Sequence, residues 1–319
     1  MSRILRAGVL ALAVGVVVFG GLYFKDQRVS AGPSLNERQT QSAEQAVRKE
    51  PGNIGARLAL AKVYRSDKRM DDALKQYDEV LKAEGNHRSA LLGRGAVLMA
   101  RNDLKGAAAM YQKITGVAVK GEFAAQDPQL AEAHYFLGSI ALTEGRTKAA
   151  VTELEGALKI DRTDSDALYL LGVARLKDDQ PQLAVDALKQ ALRFVPTGWC
   201  EPYAELGNAY RKLGSVPQAT YSQGMLDFCQ KRPAEATTAL KTLTAGPMAV
   251  EAMLGLGLIA ETASNRDEAV AWYKKALVVD PANISAISSL SGLGVGPKAA
   301  PSPSKAPSAQ GHSTTPRTK

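Results

Sequence analysis

Four dipeptides along this chain, Leu137-Gly138, Leu171-Gly172, Leu206-Gly207 and Leu256-Gly257, are each followed by an alanine twelve positions after the glycine: Ala150, Ala184, Ala219 and Ala269. Upstream, Leu60-Ala61 with Ala73 and Gly95 with Ala107 keep the same spacing. The marker residues fall at 61, 95, 138, 172, 207 and 257, with two steps of 34 residues and one of 35. Self-similarity at a fixed period of this size means stacked supersecondary units, none of which buries its apolar face alone. Within a unit the period is helical: Leu168, Leu171 and Arg175, or Met253, Leu256 and Ala260, stand three, four and seven positions apart. The small marker has a steric reason, because two helix axes approach closely only where no bulky side chain separates them.

A 34-residue period with Gly, Ala and a late Pro resembles the tetratricopeptide repeat family, whose unit is a helix–turn–helix. The resemblance covers residues 34–293 and implies an all-α fold, a right-handed superhelical solenoid of about six helix pairs. The units fall at about 54–87, 88–121, 131–164, 165–198, 200–233 and 250–283. Ser34 to Lys49 is read as a lone N-terminal capping helix and Ile284–Leu293 as the closing cap. Pro196 and Pro281 stop second helices, since proline lacks the amide hydrogen and clashes with the preceding turn.

The departures from the family pattern carry expectations of their own. Arg162 stands where Pro is common, and Arg175 and Ala260 where Tyr64 and Tyr210 keep the usual tyrosine. Arg94 replaces the usual leucine, so packing should be loosest in the second unit. The step from 95 to 138 is 34 plus nine, assigned to a polar loop at Lys120–Leu130. The step from 207 to 257 is 34 plus sixteen, the length of one helix and its turn. An extra, unpaired helix at 234–244 is expected to break the alternation there.

Charge excludes one class of partner. Of the net +8, residues 1–28 contribute +3 (Arg3, Arg6, Lys25 and Arg28 against Asp26) and residues 297–319 contribute +4 (Lys298, Lys305, Arg317 and Lys319). The other 268 residues hold 32 basic and 31 acidic side chains. A neutral body has no broad field with which to hold phosphates, so no nucleic-acid partner is expected. The segment 294–319 is rich in Pro, Ser and Ala and free of acidic and aromatic residues, and is read as a disordered basic tail.

The N-terminus addresses a membrane. Ala7 to Phe24 is a run of eighteen uncharged, mainly apolar residues between Arg6 and Lys25, just long enough to span a bilayer core. It is read as a transmembrane anchor at 7–24, with a cytoplasmic tail at 1–6 and a linker at 25–33. The competing reading is a signal peptide cleaved near Ala31, after the small residues Val29-Ser30-Ala31. Arg3 and Arg6 favour the N-terminus inside and the repeats outside a bacterial cytoplasmic membrane.

The chain's two cysteines fall within one unit: Cys200 just before its first helix, Cys229 near the end of its second. In an antiparallel hairpin these points lie side by side. A disulfide there would close a loop of about 30 residues and persist only in an oxidising compartment; two unrelated buried thiols is the other reading. No catalytic set can be assembled from His87, His134 and His312, and there is no CxxC, HExxH or phosphate-binding glycine loop. Neither enzyme activity, a metal nor a cofactor is expected.

What the resemblance implies instead is recognition. In this family the concave face of the first helices holds an extended peptide, and superposing the repeats places Tyr135, Ser139 and Leu142, then Tyr169, Val173 and Leu176, then Ala204, Asn208 and Arg211 there. Of the lysine and asparagine set with which the chaperone-binding subclass grips terminal carboxylates, only Asn208 is matched. The function expected is a membrane-anchored, extracytoplasmic scaffold or adaptor that binds protein or peptide partners in complex assembly. Two alternatives stand beside it. One is a periplasmic apocytochrome c chaperone, similar to the repeat subunits of bacterial haem-lyase complexes. The other is a binder of wall polymer or another non-protein ligand, for which more exposed aromatics or a charge stripe would be expected.

Overall fold

The structure is a computed structural model that describes residues 34–118, 124–194 and 198–296. The anchor assigned to 7–24, the linker, Pro196 and the tail from 297 lie outside the described residues. Among the described residues there are fifteen α-helices and no strand. They are α1 (Leu35–Lys49), α2 (Ile54–Ser66), α3 (Met70–Ala83), α4 (Arg88–Ala100), α5 (Leu104–Ala118), α6 (Pro128–Thr143), α7 (Thr147–Ile160) and α8 (Ser165–Lys177). Then follow α9 (Pro181–Phe194), α10 (Glu201–Lys212), α11 (Val216–Cys229), α12 (Pro233–Lys241), α13 (Ala249–Thr262), α14 (Arg266–Val279) and α15 (Ile284–Gly292). None of the described helices is long and apolar enough to cross a membrane. The chain forms two compact units that divide between Ala167 and Leu168.

One turn recurs throughout. Seven residues after each marker the backbone takes positive φ, at Lys68, Asn102, Gly145, Asp179, Gly214 and Ser264. The next amide then donates to the carbonyl five residues back: Arg69 to Tyr64, Asp103 to Leu98, Arg146 to Ala141, Gln180 to Arg175, Ser215 to Tyr210 and Asn265 to Ala260, at 2.7–2.9 Å. This left-handed helix ending satisfies carbonyls that the helix leaves open and reverses the chain into the second helix. Only two of the six residues are glycine, so most of these turns carry no glycine signal in the sequence.

Sixteen residues after the marker a large side chain presses on it. A Cβ on Gly138 would lie 2.6 Å from Leu154 Cγ, on Gly172 2.6 Å from Leu188 Cγ, on Gly95 2.7 Å from Tyr111, and on Gly257 2.4 Å from Tyr273. Tyr111, Leu154 and Leu188 are fully buried. Glycine at the marker is therefore a packing requirement, set by the residue that fills the space a side chain would need.

In the first unit, α1 caps the stack. Ser34 and Glu37 form a reciprocal capping box at its start, and Thr40 Oγ1 donates to Asp67 while Tyr64 Oη donates to Glu44, both at 2.9 Å. The second hairpin, expected to be the loosest, is densely filled. Leu91, Tyr111 and Ile114 are buried together with Leu137 and Ile140 of α6, while Arg94 turns out of the core and bonds to Asp78. Helix α6 begins at Pro128, three residues ahead of the expected unit. Asp127 caps it, its carboxylate accepting from the amides of Gln129 and Leu130 at 3.0 and 3.2 Å, while Pro128 fits the first helical position.

In the second unit the extra helix is not unpaired. α12 ends at Lys241 rather than Thr244, and its Leu240 is wholly buried between α11 and α13. A Cβ on Gly224 would meet Leu240 at 3.0 Å and one on Gly255 at 2.8 Å. Gly224 carries the later marks of a further repeat, though the exposed Gln223 precedes it in place of leucine: positive φ at Lys231 seven residues on, the Arg232-to-Asp227 turn bond, a buried Ala236 at twelve and Leu240 at sixteen. Helix α11 thus serves two hairpins, as second helix to α10 and first helix to α12. The α10–α11 hairpin lacks the marker contact: sixteen residues after Gly207 stands the exposed Gln223, and nothing approaches a Cβ on Gly207 closer than 3.6 Å.

Two predictions follow from this packing. Gly172→Ala should destabilise the second unit by about 1–3 kcal/mol through overpacking against Leu188, whereas Gly207→Ala should be neutral or stabilising by up to about 1 kcal/mol, the helix-propensity gain. Urea titration of both variants checks the contrast, and equal effects would refute the contact argument. The Tyr273 phenol is pushed up to about 12, first by burial and then by its hydrogen bond to Glu261. The unfolded phenol ionises near pH 10, so this group's stabilisation is complete below pH 10 and is lost as pH rises toward 12. Tyr273→Phe should flatten the alkaline decline of the melting temperature over that window.

Candidate functional site

The first helices of the hairpins offer one face to their partner helices and keep another, and the nine residues expected on the concave face divide between them. Tyr135 and Ser139, one turn apart on α6 in the first unit, are half-buried. The Tyr135 ring meets Phe136 edge-on at 5.3 Å, and Phe136 in turn stacks on Tyr111 at 5.0 Å. Burial raises the Tyr135 phenol pKa, with Asp166 and Asp164 adding to the rise. The Ser139 carbonyl accepts the Thr143 hydroxyl at 3.0 Å.

In the second unit, Tyr169 and Val173 are half-buried on α8, and Ala204 is half-buried on α10. The Tyr169 ring packs at 5.3 Å, tilted by 58°, on the ring of Trp199, which sits in the segment leading into α10. Burial raises its phenol pKa, helped by Glu205 and Glu201. Asn208 and Arg211 are exposed and joined: the Asn208 side-chain amide donates to Glu205 at 3.2 Å, and its oxygen accepts from Arg211 at 2.7 Å. The result is an aromatic pair beside a polar ladder of carboxylate, amide and guanidinium. Such a ladder can bond the N–H and C=O groups of an extended peptide, while Tyr and Trp give apolar area with a polar tip.

Two of the nine do not belong to such a surface. Leu142 and Leu176 are each only 8% exposed. Both stand in the last turn of a first helix, where the chain reverses, and Leu176 packs into the core with Ala184, Val185 and Leu188 of α9. Trp199, Glu201 and Glu205 were not singled out from the sequence. The available signal was one of the chain's two tryptophans lying beside Cys200, in a connecting segment where core packing does not call for it.

Cys200 and Cys229 are joined in a disulfide, with their Cα atoms 5.5 Å apart. The bond ties the start of α10 to the end of α11, in the hairpin whose marker glycine has no large residue pressing on it. Arg175, where the pattern has tyrosine, donates to the Leu183 carbonyl at 3.3 Å. His134 and Glu153 link α6 to α7 at 2.7 Å, and among the described residues no group of three His, Cys, Asp or Glu is arranged to hold a metal ion.

The repeated hairpin, its turn and its marker contacts define a class. Models of the tetratricopeptide repeat match residues 41–83, 58–121, 131–164, 166–197 and 221–284, together more than half of the sequence. The chain belongs to the tetratricopeptide repeat family. The last match starts inside α11 and runs through α12, α13 and α14. Among solved structures, YrrB, described as a TPR protein with an unusual peptide-binding site, is 18% identical, with 63% of this chain and 99% of its own covered at a TM-score of 0.51. The C-terminal part of a TPR repeat-containing protein from Cytophaga hutchinsonii is also 18% identical, covering 85% and 98% at 0.50. MamA is 23% identical over 59% of this chain and 92% of its own, at 0.46. At these identities the likeness to the first two is one of fold. No curated protein matches the chain at a significant level.

Replacing both cysteines with serine should cost about 3–4 kcal/mol, the loop-closure value for a bond spanning 29 residues. Urea unfolding with and without reductant measures it; a loss below about 1 kcal/mol would show that the α10–α11 pair holds without its clamp.

Proposed function

We propose that this protein is a membrane-anchored, extracytoplasmic scaffold or adaptor that holds extended polypeptides against the outward faces of its first helices during assembly of a complex. The carrying observation is the half-exposed Tyr169–Trp199 pair next to the exposed Asn208 and Arg211. Aromatic rings with few rotatable bonds and a ready set of backbone partners are what recognition surfaces concentrate. The extracytoplasmic side is supported by the Cys200–Cys229 bond, which a reducing cytosol would not preserve, and by the eighteen-residue uncharged run at 7–24.

A photoreactive residue at position 169 in intact cells should crosslink a polypeptide partner, and Asn208→Ala with Arg211→Ala should reduce the yield several-fold. Capture from exposed Lys189 on α9 but not from position 169 would overturn the surface assignment. A membrane-impermeant thiol reagent should label the protein only after reduction; no labelling in intact cells after reduction would place the repeats inside.

A further inference from the structure

Among the markers that follow the regular repeat pattern, Arg94 is the adjacent residue that the packing does not use. In the other hairpins that position is Leu60, Leu137, Leu171, Leu206 and Leu256, each 2–5% exposed. Arg94 instead turns out of the core with its side chain about a quarter exposed and enters a cavity of about 510 Å³ between α3 and α5. Its Nε donates to Asp78 at 2.6 Å, but its Nη1 has only the Met110 thioether at 3.5 Å, and sulfur is a weak acceptor. The guanidinium therefore keeps donors that a carboxylate would satisfy far better.

The rest of the groove has the same bias. Four cationic side chains line it against two carboxylates. Asp78 is engaged by Arg94, and Glu79 is held by Lys82 at 2.5 Å. Lys75 is paired with Asp72 at 3.4 Å, from the groove's margin. Lys113 on α5 is exposed. Leu81 and Met110 add half-buried apolar surface. A bare inorganic anion would leave that apolar surface uncovered, whereas an acidic peptide segment with an aliphatic side chain would use both features. Its volume lies within the range of sites that enclose a few side chains.

We propose that this groove, lined by the second helices α3 and α5 with Arg94 from α4 between them, is a second docking site, which takes an acidic, leucine-bearing segment of a partner polypeptide. Arg94 and Lys113 grip its carboxylates while Leu81 and Met110 receive its leucine. The substitution that breaks the repeat pattern is, on this reading, the residue that makes the site.

Fluorescence anisotropy of a fluorescein-labelled ten-residue peptide alternating glutamate and leucine, titrated with the full chain, tests the site. Binding should weaken with salt, should be absent for the same peptide with lysine in place of glutamate, and should fall by about tenfold or more in Arg94→Leu and in Lys113→Glu. Arg94→Leu restores the residue that the other hairpins bury, so its thermal midpoint should hold or rise, which separates loss of grip from loss of fold. Lys113→Glu, a surface change, decides the matter if the first variant misfolds. Tyr169→Ala should leave this binding unchanged, so that the first-helix and second-helix surfaces stand or fall separately. Failure of the acidic peptide to bind, equal binding by the lysine peptide, or undiminished binding by Lys113→Glu would each overturn the proposal.

Discussion

The contact between a marker glycine or alanine and the large residue sixteen positions later organises the whole molecule. It brings Leu154 against Gly138, Leu188 against Gly172 and Tyr273 against Gly257, and in doing so it sets how closely the two helices of a hairpin approach. Within a unit, close approach then lets a second helix reach the next first helix, as Tyr77 of α3 does at Gly93 of α4 and Leu240 of α12 does at Gly255 of α13. Neighbouring hairpins of a unit bury one another's apolar sides, and nearest-neighbour packing of this kind needs no central core.

Where that contact is missing, other bonds take its place. The α10–α11 hairpin has Gln223 in the position of the large residue and a disulfide across its open end. Helix α11 gives its own small residue, Gly224, to α12 instead. Its buried Asp227 carries the bonds that fix this arrangement, from Arg232 in the following turn and from Gln223 at 3.1 Å. The irregular step in the repeat is thus a helix shared by two hairpins, with the covalent bond spanning the one that lacks the marker contact.

The two proposed surfaces arise from the same constraint. A first helix spends one face on its hairpin partner and leaves another for Tyr169, Asn208 and Arg211. A second helix has its own outward side, and it becomes a groove where Arg94 departs from the core. In both places a side chain that packing does not require is free to meet a partner, and it is from such residues that function can be read in a fold shared by proteins of many roles.

The period, the helix pairs and the cap at α1 could be read from the amino-acid order, because glycine and alanine recur at fixed spacing and helices have a fixed periodicity; for the two cysteines the order left a bond and two separate thiols open, and the 5.5 Å Cα separation decides for the bond. The turns at Lys68, Asn102, Asp179 and Ser264 could not, since positive φ there is imposed by the closing hydrogen bond and not by glycine. Nor could the burial of Leu142 and Leu176, which share helical phase with the half-buried Ser139 and Val173 and stand where the chain reverses. The double role of α11, the Tyr169–Trp199 contact and the Arg94 groove depend on which side chain fills which gap between helices. Local sequence names the candidates for those gaps; only the packed neighbours decide among them.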